Sequence, residues 1–194
     1  KGGKIQLGHG SGGRMMNELI HNLFKRHFAN PELDPLDDGA ILPDPGGRLA
    51  FATDSFVVDP LFFPGGNIGD LAVNGTVNDL CMCGSRPLWL SAGFIIEEGM
   101  EYDDLEIIVG SMAGAAAAAG IRIVTGDTKV VEHGQADRLF INTSGIGVID
   151  HDFTLGSRHL EPGDRLILSG TIGDHGIAVL SRRSHLGFST PLLS

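Results

Sequence analysis

The sequence is short of several things, and each shortage excludes a class of protein. It has two cysteines, Cys81 and Cys83, only two positions apart. A pair so close makes a poor staple, so a disulfide scaffold is excluded and a reducing, cytoplasmic setting is expected. Basic residues are scarce: 14 Lys and Arg stand against 24 Asp and Glu, for a formal net charge of -10. A chain this acidic lacks the basic face of a general nucleic-acid binder, although a divalent cation can still bring phosphate to it. No apolar run approaches membrane-span length, so no membrane partner is expected. The start, where Lys1 and Lys4 are followed by glycines and not by an apolar segment, does not read as a signal peptide. There is no Walker A pattern and no H-E-x-x-H pairing among the eight histidines. An ordinary P-loop and a zinc-protease helix are therefore out.

What remains is a chain rich in glycine, 29 of 194 residues, and 42% hydrophobic. That is enough for a packed core. Apolar residues recur at helical spacing over about 14–28, through Met16, Leu19, Ile20, Leu23, Phe24 and Phe28. Residues 29–47 are irregular, and 48–58 read as a strand with Asp54 at its centre. A helix follows at about 68–83, ended by Gly84, then a strand at 87–96. The next helix has Asp103 as expected N-cap, Glu106 completing a capping box, Leu105, Ile108 and Met112 on the buried face, and Gly120 as its stop. Strands are expected at about 121–131 and 138–149. The class is α+β.

Near Pro162 and Gly163 the pattern restarts, with "DRLILSG" as a strand and "IAVLSRRSHL" as a helix. One strand and one helix cannot bury their apolar faces alone. Residues 1–155 are therefore expected to form an N-terminal domain, and 156–194 the opening of a second α/β domain.

"GHGSGG" fits G-x-G-x-x-G through Gly8, Gly10 and Gly13, but no strand-and-acid context supports a dinucleotide fold. A flexible terminus, or a flap whose backbone N–H groups fold over phosphate, are the other readings. The aspartates speak more strongly. Asp37 and Asp38 are adjacent, Asp54 is mid-strand, Asp79 follows Asn78 on a helix, and Asp127 sits between Gly126 and Thr128. Asp70, Asn74 and Asn78 make one polar stripe. Any one of these is as easily a turn-former or cap. Several carboxylates with few basic neighbours point to a hard cation such as Mg²⁺. Cys81 and Cys83, two apart on a helix, face different ways and read as small buried hydrophobes. His175 is either a turn residue or a ligand contact at a helix start. In "VTGDTKVV", strand alternation puts Asp127 and Lys129 on one face, with Val124, Thr128 and Val130 on the other.

Taken together, "HGSGGRMMNELI", "DDGAIL", "ATDSFVVDPLFFPGGNIGDLAVNGTVNDL", "VTGDTKVV", "NTSGIG" and "SGTIGDHG" resemble the carbamoyl dehydratases of hydrogenase maturation, the HypE family. These belong to the superfamily of aminoimidazole ribonucleotide synthetase, selenophosphate synthetase and thiamine monophosphate kinase. The resemblance implies a mixed sheet with helices on one face, extended by homodimerisation. It implies ATP with Mg²⁺ on Asp38, Asp54, Asp79 and Asp127, and a phosphate flap at Gly10, Ser11, Gly12 and Gly13 within a flexible 1–13. Asn78 and Thr128 are counted with the nucleotide contacts, and Lys129 as the catalytic group. A clamp on phosphate or carbamoyl oxygen is the favoured role for Lys129, with a base as its rival and a surface salt bridge as the inert account.

The implied reaction is ATP-dependent dehydration of an S-carbamoyl C-terminal cysteine to thiocyanate, supplying cyanide to [NiFe]-hydrogenase iron. The implied partners are a carbamoyltransferase and an iron-carrying scaffold. The alternatives are another phosphotransferase of the superfamily and a non-catalytic dimeric scaffold. The family's chain runs on through a second domain to a terminal cysteine. This sequence ends "GFSTPLLS", so an incomplete chain is expected.

Overall fold

The structure is a computed structural model, and it describes residues 3–153, 155–183 and 193–194. The apolar stripe of the first helix holds three segments in line: α1 (Arg14–Leu19), a π-helical turn (Ile20–Phe24) and α2 (Lys25–Phe28). Leu19, Leu23, Phe24 and Phe28 are its buried residues. The widened turn is of a kind that recurs beside functional sites.

Four strands form the main sheet: β1 (Arg48–Phe56), β4 (Arg86–Glu97), β5 (Arg122–Val131) and β6 (Leu139–Ile149). Between β1 and β4 come the two-residue strands β2 (Phe62–Phe63) and β3 (Gly66–Asn67), then helix α3 (Ile68–Met82). Helix α4 (Tyr102–Ala119) connects β4 to β5, and α5 (Asp174–Arg183) follows the sheet. The strand order is β1-β6-β4-β5. β6 is antiparallel to both neighbours, while β4 and β5 are parallel, as a helical crossover requires. One face packs on the helices: Leu90, Ala92, Phe94, Ile96 and Ile141 share a core with residues of α3 and α4. The other face is open, with Leu49 and Phe51 exposed. The expected mixed sheet with helices on one face is what forms. Among the described residues no helix is long and apolar enough to cross a membrane.

Caps correct two expectations. Asn67 accepts from the Gly69 N–H at 2.8 Å, and Asp70 reaches back to the Asn67 N–H at 2.6 Å. Asp70 is thus part of a capping box and not a ligand stripe. At α4 the N-cap is Glu101, without a side-chain cap, and Asp103 lies inside the first turn. A carboxylate there still favours the positive end of the helix. Glu106 pairs with Arg26 of α2 instead of closing a box. Gly120 ends α4 at φ 68, as expected.

Cys81 and Cys83 are both exposed, not buried. Leu80 is the last residue of α3 to face the sheet, and each following residue turns about 100° further round. Residues 164–168 form no strand, and Leu166 and Ile167 lie 89% and 91% exposed. A strand needs a hydrogen-bonded neighbour, and none exists among the described residues. The helix expected at 177–186 begins earlier, at Asp174, and its last residues fall outside those described.

Gly69 sets how closely α3 and α4 approach. A Cβ there would lie 2.3 Å from the Ile108 carbonyl oxygen. Gly69→Ala is therefore expected to destabilise by about 2 kcal/mol despite alanine's better helix propensity. A urea melt with an unchanged slope and a lower midpoint would register it.

Candidate functional site

The edge strand β5 carries the Asp and Lys of "VTGDTKVV". A bulge against β4 between Leu90 and Ser91 leaves both Ile123 and Val124 buried. Beyond it the alternation is clean. Thr128 is buried beside the core, and Asp127 and Lys129 project from the open face. The Lys129 ammonium lies 2.9 Å from each Asp127 carboxylate oxygen. That hydrogen bond is the main reason the Asp127 carboxyl stays below its usual range. Partial burial opposes it, while the Thr128 N–H and the lysine's charge add to it. Both side chains are about 60% exposed (61% and 63%), so the pair adds little to stability and is free to be reshaped by a ligand.

The glycine-rich lead lies against the same strand. Leu7–Gly10 is a 3-10 turn whose Gly10 backs onto β5, where a Cβ would sit 2.4 Å from the Val130 nitrogen. No side chain fits there. Ser11 donates to the Gly8 carbonyl at 3.1 Å, Gly12 takes a φ of 78, and Gly13 is the N-cap of α1. After α2 comes a long irregular segment to β1 and not the strand carrying an acid that a dinucleotide fold needs, which disfavours that reading. The turn Leu7–Gly10 lies against β5, and Gly13 leads into α1.

Two hollows meet at Asp127. One, of about 200 Å³, lies under the first helix. It is lined by Ile20, His21 and Phe24 of the π turn, by Asp37, and by Gly126, Asp127 and Thr128. The other is a groove on the open sheet face, bordered by Asp127, Lys129, Ser55 and Asn142. Thr128 lines the first, as its buried position requires.

The remaining acidic residues are elsewhere. Asp38 is exposed in the loop before β1 and lines neither hollow. Asp54 projects on the helix side of β1, where a Cβ on Gly75 of α3 would come within 3.8 Å of its Oδ2. Asn78 and Asp79 are exposed on α3. β1 and β5 are opposite edges of the sheet, three strand spacings or roughly 14 Å apart. Asp54 and Asp127 also project from opposite faces. Among the described residues no three His, Cys, Asp or Glu side chains are grouped to hold a metal. Asp38, Asp54, Asp79 and Asp127 do not form one magnesium cage within a single chain. The sheet order keeps them apart.

His175 begins α5 as expected, hydrogen bonds to Ser194 at 2.8 Å and stacks edge-on with Phe63. Its contacts are internal. Sequence reading missed Ser55, Gly93 and Asn142 of the open groove. In "INTSG" three polar residues run together along a strand, so some must face away from the core, but only the register of β6 gives them neighbours.

Glu97 ends β4 and anchors the β5–β6 hairpin beyond Lys129. It is buried, and it accepts from the Gly134 N–H at 2.6 Å, the Arg138 N–H at 2.9 Å and His133 Nδ1 at 2.8 Å. Chiefly the two backbone bonds hold its carboxyl below the ordinary range, against the opposing effect of burial. The group is depressed on folding. Its contribution is complete above the unfolded value near 4.3 and fades as pH falls through the lower folded value. Amide exchange at Gly134 and Arg138 is therefore expected to stay slow to about pH 4 and to accelerate below it. In Glu97→Gln that pH step is expected to vanish.

Residues 36–149, which hold all four strands of the main sheet, match the family model "AIR synthase related protein, N-terminal domain". The chain belongs to the AIR synthase related family. Within that family it is 53% identical over 192 residues to "Carbamoyl dehydratase HypE" of Azotobacter vinelandii, covering 99% of this chain and 56% of that protein. The Escherichia coli K12 protein of the same name is 53% identical over 195 residues, covering 98% and 58%. A crystal structure of hydrogenase maturation protein HypE in complex with ATP superposes with a TM-score of 0.94 at 54% identity, covering 97% of this chain and 56% of that one. A HypE–HypF complex also matches, with a TM-score of 0.75 at 54% identity, over 91% and 57%. The chain spans just over half the length of these family members.

Proposed function

We propose that this chain is the nucleotide-binding part of an ATP-dependent carbamoyl dehydratase acting in hydrogenase maturation, in the cytoplasm. One observation carries the reading: Gly10 packs directly on Val130. Val130 is the strand neighbour of Lys129, so the turn meets β5 one residue from the lysine, and Gly10, Ser11, Gly12 and Gly13 are assigned to the nucleotide together with Lys129 and Asp127. A glycine turn next to an ammonium is a fitting cradle for a triphosphate end. The same half of the molecule is what aligns with a HypE that binds ATP.

In the proposed reaction a carboxamide oxygen on a thiol carrier attacks the γ-phosphorus and ADP leaves. The nitrogen then gives up both its protons as the carbon–oxygen bond to phosphate breaks. An S-bound cyano group and inorganic phosphate result. Lys129 is assigned to hold the oxygen on which negative charge collects. Asp127, ionised and bonded to it, orients the ammonium. Magnesium arriving with the nucleotide would be held by one or two carboxylates and would offset phosphate charge. Of the three carboxylates on the hollow, Glu32 is paired with Arg122, and the exposed Asp37 and Asp127 are the two that would hold it.

The Leu49 and Phe51 end of the open face, 60% and 68% exposed and outside the groove at Ser55 and Asn142, is the proposed homodimer surface. Phe51→Glu is expected to shift sedimentation from dimer to monomer, and an unchanged dimer would reject that surface. The proposed carbamoyl donor partner is a HypF-type carbamoyltransferase, and an iron-carrying scaffold is the proposed recipient. The decisive assay for the function is phosphate release from Mg-ATP by the full-length protein, with and without prior carbamoylation. Dependence on carbamoylation is expected. Equal release, or transfer to thiamine phosphate or selenide, would refute the reading.

A further inference from the structure

Strand register aligns Ser55, Asn142, Gly93 and Asp127 as one row across the open face, one residue from each strand. Gly93 is the one position in that row without a side chain. The fold does not demand this. A Cβ on Gly93 would meet nothing nearer than the Asn142 carbonyl oxygen at 3.8 Å, an ordinary contact, and its φ lies outside the left-handed region. Gly10 and Gly126 differ sharply, with backbone atoms 2.4 and 2.3 Å from where a Cβ would be. A glycine in mid-strand weakens the strand and leaves space for something to approach the backbone. Here that space is a groove of about 380 Å³, with Gly93 as part of its lining.

The groove has a defined polarity. Asn142 Nδ2 donates to the Asp54 carbonyl and to the Ser55 hydroxyl, both at 2.9 Å. A carbonyl can only accept, so the atom facing it is the nitrogen. The amide is planar, so its oxygen turns away from the atoms its nitrogen meets on β1, and Asn142 lines the groove. No donor among the described residues meets that oxygen. Across Gly93, two strand spacings or roughly 10 Å from Asn142, stand Asp127 and Lys129. Ile95 and Phe140 close one end with apolar surface.

An acceptor on one wall, with an acceptor and an ammonium donor on the other, complements one group in particular. A primary carboxamide offers two N–H donors and one carbonyl acceptor. Building on the proposed dehydratase reading, the geometry points to the Gly93 slot as the seat of the substrate's carboxamide. Asn142 Oδ1 accepts from its –NH₂, and Lys129 donates to its oxygen. Asn142 is thus a specificity residue, and Gly93 the vacancy that admits the group. An N,N-dialkyl amide or an ester lacks the N–H pair and is excluded.

The test uses the full-length protein and two small probes, S-ethyl thiocarbamate and its N,N-dimethyl counterpart. Saturable shifts of the Gly93 amide and the Asn142 side-chain NH₂ resonances are expected with the first probe and not with the second. Gly93→Val is expected to raise the first probe's Kd about tenfold or more, and Gly93→Ala to raise it less. Both variants should melt at or above the wild-type temperature, because side chains suit strands better than glycine. Equal binding of both probes, or an unchanged Kd in folded Gly93→Val, overturns the inference. Should Gly93→Val melt early, an unchanged Kd in Gly93→Ala overturns it instead. Mg-ATP binding is measured separately. If the wild type binds Mg-ATP yet no probe reaches Gly93, the slot is refuted and the dehydratase reading stands. If Mg-ATP fails to bind, that reading falls, while the slot is still judged by its own shifts.

Discussion

Lys129→Ala is expected to lower carbamoylation-dependent phosphate release by about 10²–10³-fold, the scale on which removing a single electrostatic stabiliser acts. The expectation rests on position. Lys129 stands on the edge strand between the glycine turn at Gly10 and the open groove, held 2.9 Å from Asp127. The Asp127 carboxylate orients that ammonium as a donor, which suits a clamp. The loss should therefore be equally deep across pH, and Lys129→Arg should recover part of it. A loss confined to one side of a titration present in the wild type and missing in the variant would make Lys129 a base. Because the pair is more than half exposed, the thermal midpoint should barely move. That separates this loss from one caused by unfolding.

The sequence revealed elements more readily than neighbours. Helix α4 could be read because Leu105, Ile108 and Met112 repeat at helical spacing and Gly120 supplies a left-handed stop. Its first residue could not: Asp103 is the N-cap by residue type, yet the backbone is helical from Tyr102, with Glu101 before it making no side-chain cap. On β5, period-two alternation correctly put Asp127 and Lys129 on one face, because a strand's geometry is local. The expected gathering of Asp38, Asp54, Asp79 and Asp127 failed for the opposite reason. Strand order is not local, and β1 and β5 are separated by β6 and β4. The same limit hid Asn142. In "INTSG" it is one of three polar residues in a row, and nothing in the sequence says what it faces. Once Ser55, Gly93 and Asp127 are its row-mates, it borders a groove. The cysteines misled because an average tendency to burial was applied to a helix end that runs past its support.

Gly10→Ala places a methyl group 2.4 Å from the Val130 nitrogen, well inside contact distance. Val130 belongs to a strand paired with β4, so its backbone cannot yield, and the turn must lift. Lifting by about an ångström moves the N–H groups of Gly10, Ser11, Gly12 and Gly13 away from Lys129. A displacement of that size from a catalytic centre is worth about 10²-fold in rate. The expected result is a kcat/KM for ATP down by about that factor, with KM raised, since the turn is assigned to nucleotide binding. Gly12→Ala separates space from conformation. A Cβ there meets nothing within 4 Å, but φ is 78, so its penalty is backbone strain of roughly 1 kcal/mol. The alanine at Gly10 should therefore be the more damaging of the two. If Gly12→Ala matched or exceeded it, the packing of the turn on β5 would not be what holds the nucleotide.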